Sequence, residues 1–326
     1  MKHARTLEDV HNDPIFRALC PDYERQFMEA RFLPPKLNVF ASYRIQMTAL
    51  IAYKKFPSIK VPAVVQMMTE DFEAGLYKGK HTLVVDSSGN TAWAAVRLAK
   101  AFGFKNVKVI MAADIPNAKK AIFAALSWPD LLYVGGGKSV AKVAEEEGEK
   151  PGHCHLNQYA HMGNMRAHEA YTGPEILRVL GGDVTVVAIA LGSGGTAGGV
   201  GHFLKEKNPK TVMVGVRPKL GEQVPGARDS KRMKEVVTLP WEKYVDEVVE
   251  ISRKDSFIGM RQLGSAIEPP PGPTSGLAWR GLDAYLQSRK DIEKLRGACV
   301  AFICPDSGLL YSEPTIAELD SGQGVV

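Results

Sequence analysis

Residues 184–191 read Val-Thr-Val-Val-Ala-Ile-Ala-Leu and run straight into Gly192-Ser193-Gly194-Gly195-Thr196, after which 197–207 carry a helical pattern. An eight-residue run of this kind fits a strand buried on both faces of a parallel sheet. The glycines let backbone N–H groups converge with no Cβ in the way, and the following helix brings the positive end of its dipole to the same point. Strand, glycine-rich turn and helix start together make a cradle for an anion, most often a phosphate. Which phosphate is the question the rest of the chain has to answer.

Further short, β-branched stretches predict strands at 82–86, 107–111, 131–134, 211–216, 247–251 and 299–303. Helical patterns fall between them at 64–76, 91–102, 118–125, 140–147, 255–263 and 277–287. Strands alternating with helices imply an α/β fold with mostly parallel sheet covered on both faces. Ligands of such sheets sit at the carboxyl ends of the strands. The 326 residues allow two domains, and 45% apolar with 24% charged residues is ordinary for a globular chain. The net charge of +5 comes without a basic stripe interleaved with aromatics, which argues against nucleic acid. No apolar run is long enough for a membrane span, the first residues lack a signal-peptide core, and the four cysteines include no Cys-x-x-Cys. A reduced, cytoplasmic protein is the expectation.

Two more constellations carry chemistry. Ser87-Ser88-Gly89-Asn90-Thr91 follows the strand at 82–86 and opens the helix at 91–102. Hydroxyls and N–H groups at a helix start make a second anion site, of a size for a carboxylate. The plainer reading is an N-cap turn, with Ser87, Ser88 or Thr91 capping. Lys60, in Phe56-Pro57-Ser58-Ile59-Lys60-Val61-Pro62, precedes the helical pattern from Val64, with Pro62 where its missing N–H costs little. A lysine there is a candidate nucleophile for a carbonyl; the plainer reading is a surface lysine.

In order, Ser-x-Lys, Ser-Ser-Gly-Asn-Thr and Gly-Ser-Gly-Gly-Thr resemble the fold-type II pyridoxal-phosphate enzymes (tryptophan synthase β-like), most closely the cysteine synthase (O-acetylserine sulfhydrylase) and cystathionine β-synthase family. Thr172-Gly173-Pro174-Glu175-Ile176, Gly272-Pro273-Thr274-Ser275-Gly276 and Cys304-Pro305-Asp306-Ser307-Gly308 extend the resemblance over roughly 50–312. It implies two domains, each a mostly parallel twisted sheet with helices on both faces, and an active site in the cleft between them. The expected boundaries are 1–52 with 166–326 for the large domain and 53–165 for the small one.

The resemblance further implies that Lys60 forms the Schiff base with pyridoxal 5'-phosphate and then moves protons at the substrate Cα. Gly192, Ser193, Gly194, Gly195 and Thr196 would hold the phosphate, and Asn90 the phenolic oxygen. Thr274 would face the pyridine nitrogen, with Ser275 as the alternative. Ser87, Ser88, Gly89, Thr91 and Gln158 would clamp the substrate carboxylate. A hydroxyl at the pyridine nitrogen leaves the ring a weaker electron sink than a carboxylate would, which favours loss of a β-leaving group over transamination. The implied function is β-replacement on a β-substituted serine-type amino acid, by a homodimer. The alternatives are a β-eliminating ammonia-lyase or desulfhydrase, and a non-catalytic relative keeping the fold.

The chain departs from the family pattern at three places. Val61-Pro62 stands where the family has Asp-Arg, and Ala160-His161-Met162 where it has Ser-Asn-Pro, a segment expected to border the substrate. Residues 221–246 also diverge and could shape a different entrance or a partner surface. Gly135-Gly136-Gly137-Lys138-Ser139 lacks the first glycine of a P-loop, Leu132 holding its place. His153-Cys154-His155 has no second cluster at ligand spacing, so no metal is expected.

Overall fold

The computed structural model describes residues 5–19, 26–115, 117–126 and 128–311. In chain order the elements are α1 (Leu7–His11), α2 (Pro14–Leu19), β1 (Glu29–Phe32), β2 (Gln46–Ile51), α3 (Lys60–Glu73), β3 (Thr82–Asp86), α4 (Asn90–Leu98), β4 (Asn106–Ala112), α5 (Asn117–Ala124), β5 (Asp130–Val134), α6 (Val140–Gly148) and β6 (His153–His155). There follow α7 (Gly163–Ala167), a π-helical turn (His168–Thr172), α8 (Gly173–Leu180), β7 (Val186–Ala190), α9 (Gly195–Lys207), β8 (Val212–Pro218), α10 (Ser230–Val236), β9 (Glu247–Ile251), α11 (Arg253–Gly264), α12 (Pro273–Gln287) and β10 (Cys299–Cys304). Two units result: Met1–Tyr23 with Lys60–Asn164, and Glu24–Ile59 with Met165–Val326.

The first unit is built on a parallel sheet in the order β5-β4-β3-β6. Every residue of β3 is buried, as a strand covered on both faces requires. Val84, Ile110 and Val134 meet Ala144 of α6 on one face. The helices α1 and α2 belong to this unit, and not to the large domain expected from sequence. The reason is apolar: Phe16 of α2 is buried and meets Phe102 edge-on at 6.3 Å, and Phe102 in turn contacts Phe72 and Tyr77.

The second unit carries a six-stranded sheet, β1-β2-β10-β7-β8-β9. All its pairs are parallel except β1 with β2. Its core joins Met47, Val186, Val214 and Phe302 from the strands to Leu277, Leu282 and Leu286 of α12. Helices α11 and α12 approach to backbone contact: a Cβ on Gly276 would lie 2.0 Å from Ser256 O. Both units are therefore α/β with mostly parallel sheet. No helix among the described residues is long and apolar enough to cross a membrane.

Candidate cofactor and substrate site

In the second unit, β7 leads to the glycine turn as the sequence predicts. Leu191 N–H donates to Val216 O at 2.7 Å, and Arg228 N–H to Leu191 O at 2.9 Å. A Cβ on Gly192 would lie 2.4 Å from Gly226 O. Gly194 has φ +80°, and a Cβ there would meet the Trp241 ring at 2.6 Å. The divergent segment 221–246 thus supplies the walls of this turn, through Gly226 and Trp241. Gly195 begins α9, so the N–H groups of its first turn have no partner within the helix.

Thr196, in that first turn, is held from behind. Its Oγ1 lies 3.1 Å from His168 Nε2, and His168 Nδ1 lies 2.9 Å from Thr172 Oγ1. His168 has no exposed surface. The π-helical turn that presents it lies close against α9: a Cβ at Gly199 would be 2.8 Å from His168 Cβ and 2.9 Å from Glu169 N. Sequence reasoning missed His168; its only signal was a histidine four residues before the threonine of Thr-Gly-Pro-Glu.

Thr274 sits in the first turn of α12, after the Gly272 N-cap and Pro273. It is 3% exposed, and its Oγ1 has no hydrogen-bond partner among the described residues. A buried hydroxyl without a partner is costly and rare, and calls for a ligand or a water. Gly226 is again the neighbour: its missing Cβ would be 3.2 Å from Thr274 Cγ2. Ser275 Oγ is buried and lacks a nitrogen or oxygen partner too. It lies instead against the Cys304 thiol, which burial pushes up to about 12 while the Ser275 contact pulls it partly back. That difference favours Thr274 over Ser275 as the free donor.

In the first unit, Lys60 is the first residue of α3 and is half-buried, with Pro62 in the same turn. Asn90 is the first residue of α4. Its N-cap is Gly89, and no side chain caps the helix, so Ser87, Ser88 and Thr91 are not held by that structural task. Ser87 Oγ accepts from Gly89 N–H at 3.2 Å, and a Cβ on Gly89 would face open space. Thr91 Oγ1 donates to Gln158 Oε1 at 2.7 Å, and Gln158 O accepts from Asn164 Nδ2 at 2.7 Å. With Oε1 occupied, Gln158 presents its amide NH2 as donor, which is the polarity a carboxylate needs.

His161, in the segment expected to border the substrate, has both ring nitrogens engaged. Its Nε2 lies 2.9 Å from Asp71 Oδ1, and its Nδ1 accepts from Gly163 N–H at 2.9 Å. Asp71 follows Lys60 by eleven residues of the same helix, about 16 Å along its axis. The His153-Cys154-His155 stretch is likewise occupied. His153 Nδ1 lies 2.9 Å from Glu147 O, and burial pushes the Cys154 thiol up to about 11. Trp93 is half-buried beneath Arg97, whose guanidinium carbon is 5.1 Å from the ring centre. In the Gly135–Ser139 stretch, Ser139 serves as the N-cap of α6. Among the described residues, Glu169, His202 and Glu206 have metal-ligand spacing, but each carboxylate faces a different ring nitrogen, at 3.1 and 3.4 Å.

The sequence matches a family described as "Pyridoxal-phosphate dependent enzyme" over residues 52–305. Cysteine synthase B of Salmonella typhimurium is 30% identical over 213 residues, covering 63% of this chain and 68% of that protein. Cysteine synthase B of Escherichia coli is 27% identical over 274 residues, 82% of this chain and 86% of the relative. Among solved structures, an O-ureido-L-serine synthase superposes with a TM-score of 0.75 at 19% identity, over 91% of this chain and 94% of that one. A hydrogen sulfide-producing enzyme from Fusobacterium nucleatum gives 0.72 at 21% identity, over 82% and 93%. At these identities the two structures speak to the fold.

Proposed function

Since the chain belongs to the pyridoxal-phosphate dependent enzyme family, we propose that it catalyses β-replacement on a β-substituted serine-type amino acid, as a cysteine synthase does. The observation that carries this reading is the buried, unpartnered Thr274 Oγ1 beside a glycine turn whose walls leave no room for a Cβ. A ring nitrogen and a phosphate are the groups such a pair of features suits, so the residues fit the cofactor. When bound, pyridoxal phosphate supplies an aldehyde that condenses with amines and a ring that takes up electron density from the substrate Cα.

The chain's own residues divide the remaining work. Lys60 Nζ would carry the cofactor and, once displaced by the substrate amine, take and return the proton at Cα. The N–H groups and hydroxyls of Gly192, Ser193, Gly194, Gly195 and Thr196 would donate to the phosphate. Asn90 would hold the phenolic oxygen, and Thr274 Oγ1 would donate to the ring nitrogen without protonating it. That weak donor favours expulsion of a β-substituent over transamination. Ser87, Ser88, Gly89 and Thr91 would orient the substrate carboxylate with the NH2 of Gln158. A cytoplasmic homodimer belongs to the same reading, and light scattering tests its oligomeric part.

Borohydride reduction followed by peptide mapping is the decisive experiment. A pyridoxyl group on Lys60 is the expected result; one on another lysine, or none, overturns the assignment. Addition of O-acetylserine, serine or phosphoserine with a thiol should then give the β-substituted product. Pyruvate formed whether or not a nucleophile is added would assign β-elimination instead, and an unchanged cofactor spectrum would assign a non-catalytic relative.

A further inference from the structure

We propose that Asp86 and His155 are a positioning pair that sets the spacing of the substrate-carboxylate clamp; the inference rests on the reading of 87–91 and Gln158 as that clamp. Asp86 is the last residue of β3 and directly precedes Ser87. His155 is the last residue of β6 and stands three residues before Gln158. The β3–β6 register pairs Val84 with His155, and Leu156 N–H continues the ladder to Val84 O at 2.9 Å. Two residues beyond Val84, Asp86 therefore shares a sheet face with His155. The imidazole reaches along the strand, and its Nε2 lies 3.1 Å from Asp86 Oδ1. Both side chains are largely buried, at 3% exposure for Asp86 and 11% for His155.

The same two segments meet again farther on, where Thr91 Oγ1 donates to Gln158 Oε1 at 2.7 Å. They are thus tied twice: at the strand ends by Asp86 and His155, and at the loop by Thr91 and Gln158. The same face carries the apolar cluster of Val84, Ile110, Val134 and Ala144, its Lys108 is already partnered by Glu147, and a buried polar pair seldom gives more stability than apolar packing of the same volume. What such a pair adds is direction. It fixes the separation of the two strand ends to the tolerance of a hydrogen bond, and with it the distance between the hydroxyls of 87–91 and the Gln158 amide. Asp86 and His155 touch neither substrate nor cofactor in this scheme; they act through the clamp.

The test compares ligands with and without a carboxylate. In the holoenzyme, Asp86→Ala should weaken serine binding, read from the cofactor spectrum, by about tenfold. Serinamide, which lacks the carboxylate, should bind as it does to the parent protein, and borohydride should still trap the cofactor on Lys60. Asp86→Asn keeps an acceptor for His155 and should restore most of the preference for serine. Hydrogen exchange of the cofactor-free protein gives a second readout: amides of 87–91 and 156–158 should exchange faster in Asp86→Ala while the rest of the sheet is unchanged. Equal loss for serine and serinamide, or unchanged exchange in both segments, overturns the proposal. A parent protein that loads no cofactor at Lys60 overturns the functional reading alone, and exchange then decides the pair. If Asp86→Ala does not fold, His155→Gln, which keeps a donor near Nε2, is compared with His155→Ala by the same readouts.

Discussion

Thr196 Oγ1 lies 3.1 Å from the Nε2 of His168, so a hydroxyl assigned to the phosphate is oriented by an imidazole that has no exposed surface. The other ring nitrogen is fixed by Thr172. His168→Phe keeps a planar ring, somewhat larger than the imidazole, and removes both bonds. It should weaken cofactor binding by roughly tenfold and lower stability by about 1–3 kcal/mol, because two buried hydroxyls lose their partner. Titration of the cofactor-free protein with pyridoxal phosphate and urea melts measure the two effects.

Thr274 gives the opposite sign for stability. Its Oγ1 is buried without a partner, so Thr274→Val deletes an unsatisfied group while keeping the shape. The cofactor-free variant should melt at or above the parent temperature, yet hold pyridoxal phosphate up to about tenfold more weakly. Ser275→Ala serves as the control, with cofactor affinity unchanged. A loss confined to Ser275→Ala would transfer the ring-nitrogen role to that residue.

Acid should find Glu175. Burial works to raise its pKa, but the hydrogen bonds from Arg178 at 2.6 and 2.9 Å and from Met28 N–H at 3.1 Å prevail and hold it below the usual carboxylate range. A depressed carboxyl adds stability that is present above its unfolded pKa, about 4.3, and is lost as pH falls through the folded value. Glu175→Gln should therefore be less stable than the parent at pH 7, with the gap closing below about pH 4. Urea melts across that range read it.

Alkali and thiol reagents report on the cysteines. Burial pushes the Cys154 and Cys299 thiols up to about 11 and Cys304 to about 12. At pH 8 an ordinary thiol is ionised to about a quarter, these to about a thousandth or less, so folded-state alkylation should be at least roughly a hundredfold slower than after denaturation. Because these pKa values are raised, their share of stability is intact below about pH 8.5 and declines as pH rises toward the folded values. Peptide-level mass spectrometry scores each site; Cys20 lies outside the described residues and is scored separately.

The strands and helices that carry the phosphate turn, Asn90 and Lys60 were legible because each is local: a run of apolar residues, a turn composition and a helix start within a dozen positions. The buried strand β2, Gln46–Ile51, was missed, and so were two strands that lacked that contrast. β1, Glu-Ala-Arg-Phe, is only four residues long, leaves Phe32 exposed and lies at the sheet edge; β6 is three residues long and reads His-Cys-His. The supports of the site were not legible because they join distant positions. His168 meets Thr196 across 28 residues, Gln158 meets Thr91 across 67, and His155 meets Asp86 across 69. The 221–246 segment departs from the family pattern, and its Gly226 and Trp241 pack against the glycine turn.

The His161–Asp71 contact fastens the Gln158 loop to the far half of the helix that Lys60 begins. Tyr77 OH donates to the other Asp71 oxygen at 3.2 Å and secures the carboxylate from a second side. In the proposed roles, Lys60 and Gln158 put nucleophile and carboxylate donor on one braced frame. On that reading the reach from Cα to carboxylate in an acceptable substrate would be a fixed gauge, with selectivity left to whatever occupies the side chain's end.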